Sequence, residues 1–535
     1  MATEKTIAMA TTTGHHEPET DASKEAALVH ATPTSDDARS VRSARSDGGR
    51  SVHVPMHMKV TAVVLVSLIG FGSHWSSGVT GAMKSTLKKE LDINNAQYAV
   101  LEASTDFMTT ALILFTGILT DRIGGAGAIF YGNIIYTLGS IIIASATTVR
   151  SYHVMMDGMI VQALGDIATQ VAQYRIFSSW FAPSNGFAFT LGFELGIGKI
   201  GSFVGQATAN PISKGTGDFM WVYWTAVFMN VFTNIASAIF YFFRKYTDKH
   251  YSDGIEDPAT GEQLRENTKR FEIQKILQMP WPFWGYILFT AFQTSLAVVF
   301  SQNATELAEQ RFNVSGTKAG WYTASAQYLG FFLVPLLGAF LDLFGHRLTV
   351  LFVCGTGCFL AMLLAAFGPS KSGTAAAFGI YAVAYTLGPT TIIDGIRTSI
   401  WYQDTFGAAY AVKIAVNNSM NIIIRIITGV IQDDDGNSYD HVVIVYVIQA
   451  AGAVLVSGVL LGWSFFTDDL RRLQWSKKKR TRNGAVINAQ REEYETGSKA
   501  VMNRKVSMTF FTALVVLILG AWSAYFWGVA TGNND

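Results

Sequence analysis

The sequence predicts an all-α membrane protein built of two similar six-helix halves. Half of the 535 residues are hydrophobic and only 15% are charged, a composition typical of membrane proteins. Apolar stretches of about 20 residues, the length that crosses a bilayer, recur along most of the chain. A short motif also occurs at the same place in each half. The 40 basic and 39 acidic residues nearly balance, giving a net charge of +1, so we expect no nucleic-acid partner.

The spans divide the chain into segments. Residues 1–55 contain almost no large apolar side chains and predict a disordered cytosolic tail. The amino-terminal six-helix bundle (59–245) has spans expected at 60–83, 96–119, 127–148, 153–178, 184–209 and 219–243. A polar cytosolic linker (246–279) follows. The carboxy-terminal bundle (280–465) has spans expected at 281–309, 317–340, 349–367, 374–400, 407–432 and 441–464. A basic cytosolic segment (466–505) then precedes an additional thirteenth transmembrane helix (506–528).

Lysine and arginine predict the orientation, because loops rich in these residues stay in the cytosol. Seven lie between Arg244 and Lys275, and eleven lie between Arg471 and Lys505. These numbers place the amino terminus in the cytosol and the end of the thirteenth helix outside or in a lumen. Asn313, in an Asn-Val-Ser sequon, then lies on the non-cytosolic face, where asparagine is glycosylated.

A Gly-x-x-x-Asp-x-x-Gly motif lies between the second and third spans of each half. Its three positions recur 221 residues later: 117 and 338, 121 and 342, 124 and 345. The first glycine permits close helix contact, the aspartate can pair with a base or cap a helix, and the second glycine permits a tight turn. Such a pair either latches the halves together or forms a purely structural turn. The predicted gating residues are Gly117, Asp121, Arg122, Gly124, Gly338, Asp342, Gly345 and Arg347.

With this repeated motif the chain resembles the major facilitator superfamily over about residues 59–465. The resemblance implies the fold of that superfamily, two pseudo-symmetric six-helix bundles, which here gain a carboxy-terminal helix. Two further segments resemble the lysosomal dipeptide transporter branch: Gly198-Lys199-Ile200-Gly201-Ser202 in the fifth span, and Gln173 with Ser179-Trp180-Phe181 in the fourth. That branch usually has arginine where Lys199 stands, and Gly-Arg where Gly158-Met159 stand. It implies a lysosomal or vacuolar membrane, with the plasma membrane as the alternative, and an accessory membrane subunit.

Ionisable side chains within a span are costly and usually face a protein interior or a water-filled cavity. Lys199 either captures a substrate carboxylate or pairs with Glu194, Asp166 or Asp106. Asn417 belongs to a stripe with Lys413 and Asn421 that either lines the pathway or joins helices. Asp394 and Arg397, three residues apart, are expected to pair with each other. The predicted substrate-binding residues are Lys199, Asp166, Glu102, Asp106, Glu194, Gln173, Gln327, Tyr328 and Asn417.

The motifs favour transport over catalysis. We find no nucleotide-binding loop and no zinc signature, so we expect no enzyme activity, cofactor or metal. Cys354 and Cys358 are interpreted as small packing residues. The leading hypothesis is alternating access of a small solute, by resemblance a dipeptide or related amino-acid derivative, held by Lys199 and by Asp166 or Glu102. The alternatives are a proton-coupled carrier of another organic anion or sugar, and a non-transporting membrane receptor or scaffold.

Overall fold

The computed structural model describes residues 54–251, 255–264 and 276–532, without the side chains of residues 114–122. Nearly all of the predicted tail, and part of the predicted linker, lie outside these residues. The helices of the first half are α1 (Met56–Ile69), α2 (Phe71–Ala82), α3 (Lys84–Glu90), α4 (Asn95–Ile123), α5 (Gly125–Val149), α6 (Tyr152–Trp180), α7 (Phe187–Thr216) and α8 (Met220–His250). Helices α1 and α2 together form the first predicted span.

The second half begins after a small antiparallel hairpin in the linker, β1 (Ile255–Glu256) and β2 (Gln263–Leu264). Its helices are α9 (Trp281–Phe312), α10 (Gly316–Phe344), α11 (Arg347–Phe367), α12 (Lys371–Ser399), α13 (Phe406–Asp434) and α14 (Val442–Trp463). Four helices follow: α15 (Asp468–Arg471), α16 (Lys477–Arg482), α17 (Gly484–Glu495) and α18 (Lys499–Gly532). The last begins seven residues earlier than the predicted thirteenth span.

Each of the thirteen predicted spans corresponds to helix in the structure. Within the described residues, eleven of these spans are apolar enough to cross a membrane by length and composition. The remaining two, α4 and α6, are 29 residues long but contain charged side chains, among them Glu102, Asp106 and Asp166. Polar residues on a spanning helix must face protein or water, so these two helices belong next to the interior of the molecule.

The two halves contact each other through pairs of equivalent helices. The second span of the first half, α4, packs on the fifth span of the second half, α13; in the same way, α10 packs on α7. A second equivalent set joins α6 to α13 and α12 to α7. This pairing of equivalent helices agrees with a pseudo-twofold relation between the halves, which the repeated motif predicts. Helix α18 lies outside this arrangement and packs on α13, α4 and α9.

The basic segment after α14 is folded and docks on the linker. The Arg480 guanidinium donates to both carboxylate oxygens of Asp257, at 2.9 and 2.7 Å, and both side chains are almost fully buried. Burial alone disfavours the charged carboxylate, but the bonds and charge of Arg480 outweigh it and hold the pKa of Asp257 below its ordinary value. The described part of the linker and the basic segment are therefore joined by a buried ion pair.

Candidate functional site

A cavity of about 470 Å³ lies between the two halves, a size within the usual range for small-molecule sites. Its wall is built by α2, α4, α5, α6 and α7 of the first half and by α9, α10, α12 and α13 of the second. Eight of the nine residues predicted to bind substrate line it: Glu102, Asp106, Asp166, Gln173, Glu194, Lys199, Gln327 and Asn417.

Tyr328, the ninth, is placed elsewhere by the structure. Half of its side chain is exposed (51%), and its ring packs against Phe203 and Phe332 on the outer side of the molecule. Successive residues of a helix point about 100° apart, so Gln327 faces the cavity while Tyr328 turns away from it. The prediction for Tyr328 is corrected accordingly.

Lys199 is held by neutral groups. Its Nζ donates to Gln327 Oε1 at 2.9 Å and lies 3.8 Å from the centre of the Tyr385 ring. Among the described residues no carboxylate forms an ion pair with it. Glu194, Asp166 and Asp106, the partners considered from the sequence, therefore do not pair with Lys199. The side chain is only 8% exposed. A nearly buried ammonium without a counter-ion attracts an anionic group of a ligand.

Two acids of the cavity wall are likewise held by neutral donors. Asp166 accepts a hydrogen bond from Gln170 Nε2 at 2.6 Å. Glu194 accepts one from the Tyr174 hydroxyl at 3.3 Å. Neither carboxylate has an ion pair within the part of the chain that the structure describes. The cavity therefore contains a basic group and acidic groups whose charges are not neutralised by neighbouring protein charges.

The other two acids are paired. Arg425 of α13 lies 3.0 Å from Glu102 Oε2 and 3.0 Å from Asp106 Oδ2 of α4, and Gln302 donates to the same Glu102 oxygen. We call Glu102, Asp106 and Arg425 the ion triad. It joins the two halves across the α4–α13 contact. The sequence indicates the two acids, one helical turn apart, but gives no sign that Arg425 is their partner.

The polar stripe of α13 has both of the roles considered for it. Lys413, Asn417 and Asn421 all line the cavity. Asn417 also accepts from the Thr290 hydroxyl at 3.1 Å, and Asn421 donates to Asp106 at 3.4 Å. Lys413 lies 5.3 Å from the Tyr410 ring and has no ion pair among the described residues. Within the described part of the chain it is thus a second cation of the cavity wall without an ion pair, and it is not among the residues predicted to bind substrate.

Asp342 of the repeated motif joins the halves at one end of the cavity. Its carboxylate accepts from the backbone N–H groups of Ala188 at 3.4 Å and Phe189 at 2.8 Å, which lie in the first turn of α7. A carboxylate there satisfies free donors and favours the helix dipole. Gly338 makes this possible, because a Cβ at that position would lie 2.3 Å from the Ala188 carbonyl oxygen. The helix-capping alternative is the one observed.

Arg347 stabilises the same end. Its Nε lies 2.5 Å from Asp394 Oδ2, both side chains being fully buried, and its Nη2 donates to Ser184 Oγ at 3.0 Å. The expected pairing of Asp394 with Arg397 is wrong: Arg397 instead lies 3.5 Å from Glu262 of the linker. Arg347 approaches Asp394 from the neighbouring α11, whereas Arg397, near the end of α12, extends toward the linker.

The first copy of the motif is described in part. The side chains at Gly117, Asp121 and Arg122 lie outside the described residues. Gly124 has a positive φ of 79°, and its counterpart Gly345 has 75°. Both begin the turn to the next helix in a conformation that favours glycine. A Cβ on Gly345 would also lie 2.2 Å from the Trp475 carbonyl oxygen.

The opposite end of the cavity is joined by a lysine and two acids. Lys84 Nζ lies 2.9 Å from Glu306 and donates to Gln432 at 2.8 Å. Asp433 accepts from the backbone N–H groups of Asn95 at 3.0 Å and Ala96 at 2.7 Å, the first residues of α4. Asp433 therefore caps a helix of the other half, as Asp342 does at the far end.

Comparison with known proteins identifies the family. Residues 66–423 match the model of the Major Facilitator Superfamily. The chain belongs to this superfamily. In agreement with that, the E. coli fucose:proton symporter FucP has a similar fold, with a TM-score of 0.52 and 14% identity over 74% of this chain and 98% of that chain. A second FucP structure, in the outward conformation, gives 0.50 and 15% with the same coverage.

The curated relatives that this chain matches include the lysosomal dipeptide transporter MFSD1. The Pongo abelii and Homo sapiens proteins are each 26% identical, over 162 and 150 residues. These two matches cover 30% and 27% of this chain and about one third of the relatives (33% and 31%). The Mus musculus protein is 22% identical over 410 residues, which cover 74% of this chain and 83% of the relative.

Proposed function

We propose that this transporter carries a small zwitterionic solute, a dipeptide or a related amino-acid derivative, across a lysosomal or vacuolar membrane. One observation supports the solute class above others. Lys199, Asp166 and Glu194 line the same cavity without ion pairs among the described residues. Partly buried charges are costly unless they are compensated, and a solute with one ammonium and one carboxylate compensates a charge of each sign.

The roles follow from the partners of each residue. Lys199 holds the solute carboxylate, because its ammonium is bonded only to a neutral amide and faces an aromatic ring. Asp166 holds the solute ammonium. Glu102, the alternative for that role, is already paired with Arg425, which compensates its negative charge. The relatives named as lysosomal dipeptide transporters support both the solute class and the membrane.

Transport occurs by alternating access between the two halves. Contacts across the halves exist at both ends of the cavity, with Asp342 at one and Asp433 at the other. Opening toward either side requires the contacts at that end to break while those at the other end persist. A solute bound between the halves contacts groups of both and thereby shifts the balance between the forms open to either side.

The test combines binding and uptake with purified protein. Dipeptides, single amino acids, sugars and organic acids are compared for thermal stabilisation, which reports binding to the folded state, and then for uptake into proteoliposomes. Dipeptides should stabilise the wild type but not the Lys199→Gln variant. The matched control is Lys371→Gln, since Lys371 is exposed at the start of α12 and does not line the cavity. Stabilisation by another solute class alone, or an unchanged Lys199→Gln response, would contradict the proposal.

A proton-coupled carrier of another organic anion or sugar is the second candidate. It is favoured by Asp166 and Glu194, whose bonds to neutral donors leave them free to take up a proton. Uptake would then depend on a pH gradient and lose that dependence in Asp166→Asn. Uptake of dipeptides that is the same with and without a gradient would argue against coupling while leaving the solute class unaffected.

A further inference from the structure

Helix α18 is anchored to the second half at its beginning. Trp284 Nε1 donates to Ser507 Oγ at 3.0 Å, and the Ser507 hydroxyl donates to the Met279 carbonyl at 2.7 Å. The rings of Trp284 and Phe510 stack with centroids 5.4 Å apart. Asn503 accepts from the Trp281 backbone N–H at 3.0 Å. These bonds attach the first turns of α18 to the start of α9.

The far part of α18 reaches the first half. The Tyr525 hydroxyl lies 2.9 Å from Ser104 Oγ on α4, and its ring stacks on Phe107 with centroids 4.5 Å apart and planes 11° apart. Tyr525 is only 6% exposed. At Gly528, an added Cβ would lie 2.9 Å from Ile426 of α13 and 3.1 Å from Val100 of α4. Here α18 touches both helices that form the contact between the halves.

This part of α18 lies behind the ion triad. Ser104 stands in sequence between Glu102 and Asp106, whose carboxylates face the cavity and pair with Arg425. On α13, Ile426 follows Arg425 directly and packs in one apolar cluster with Tyr525. The α4–α13 contact is therefore held by charges on the cavity side and by α18 on the outer side.

We propose that Tyr525 is a positioning residue, which holds α4 against α13 and keeps the Asp433 end of the cavity closed. Because α18 is attached to the second half, separation of α4 from α13 at this end must break the Tyr525 contacts with Ser104 and Phe107. The additional helix thus sets the balance between closed and open forms. The inference goes beyond the proposed solute and holds whichever solute is carried.

The test measures the separation of the halves in full-length protein without solute. Spin labels are attached at Lys89→Cys and Asp434→Cys, two exposed positions near the Asp433 end, while the native Cys354 and Cys358 are buried. The change is Tyr525→Phe, which removes the hydroxyl and keeps the ring. A lost hydrogen bond should raise the ratio of separated to closed molecules roughly two- to tenfold. Tyr131→Phe, at a half-exposed tyrosine, is the control and should leave the ratio unchanged.

A double variant distinguishes this role from general packing. If the hydroxyl pair is the contact, Ser104→Ala should shift the distances as Tyr525→Phe does, and the double variant should add nothing further. Ser104→Ala also provides the measurement if Tyr525→Phe does not fold. Distance distributions identical to wild type in the folded variants, with or without a lower Tm, would overturn the proposal, because α18 would then only stabilise the fold.

Discussion

Asp433→Ala should open the cavity at one end, and Asp342→Ala should open it at the other. Each carboxylate caps the first turn of a helix from the opposite half. Loss of a capping side chain costs about 1 kcal/mol, which corresponds to roughly a fivefold change in the balance of two states at 25 °C. Because each contact exists only while its end is closed, the variant removes stability from the closed form alone.

The assay is the rate at which an impermeant thiol reagent modifies a cysteine inside the cavity. Thr105→Cys serves as the reporter, since Thr105 lines the cavity on α4. In reconstituted vesicles the reagent is supplied from one side at a time. Asp433→Ala should raise the rate about fivefold from one side, and Asp342→Ala should raise it from the opposite side. The reasoning is refuted if both variants raise the rate from the same side, or if neither changes it.

Two further predictions concern charge pairs. Arg425→Gln should destabilise the protein by roughly 3–5 kcal/mol, because it leaves the carboxylates of Glu102 and Asp106 buried without their cation; a lower Tm checks this, and adding Glu102→Gln with Asp106→Asn should restore part of it. The bond between Asp257 and Arg480 should persist from pH 7 to pH 5, since a lowered carboxylate pKa gives stability that is lost only as the pH falls through that pKa. Limited proteolysis of the linker should therefore be equal at both pH values and faster at both in Asp257→Asn; faster cleavage of the wild type at pH 5 would contradict it.

The sequence predicts where helices lie better than it predicts what lies opposite them. All thirteen predicted spans are helices in the structure, including α4 and α6, which are not among the eleven apolar spans of the described residues. The partners of the charged side chains are not predicted in this way. Arg425 lies more than 300 positions from the acids it binds, and a helical pattern shows which face is polar but not which helix meets it. Asp394 illustrates the consequence: the sequence favours Arg397, three residues away on the same helix, whereas its buried partner is Arg347 of α11.

The candidate site was predictable to the extent that charge limits where a side chain can lie. A carboxylate or ammonium inside a span has few places to face other than the protein interior, and each charged residue predicted to bind substrate does line the cavity. An aromatic side chain is equally stable against lipid, so the sequence could not tell that Tyr328 faces outward. Asp433 was missed for the converse reason: beside a loop, a charged residue has water available, and nothing local shows that it caps α4.

Under the proposed function, the same groups that bind the solute also hold the halves together. Lys199 of α7 donates to Gln327 of α10, so a solute carboxylate that takes over Lys199 removes a bond across the α7–α10 contact. Arg425 and its two acids line the same cavity, so solute charges placed there compete with the ion triad across α4–α13. A ligand shifts a conformational balance only through differential contacts with the two forms. Here those contacts are the bonds between the halves that the solute replaces, which is how occupancy of the cavity would be coupled to its opening.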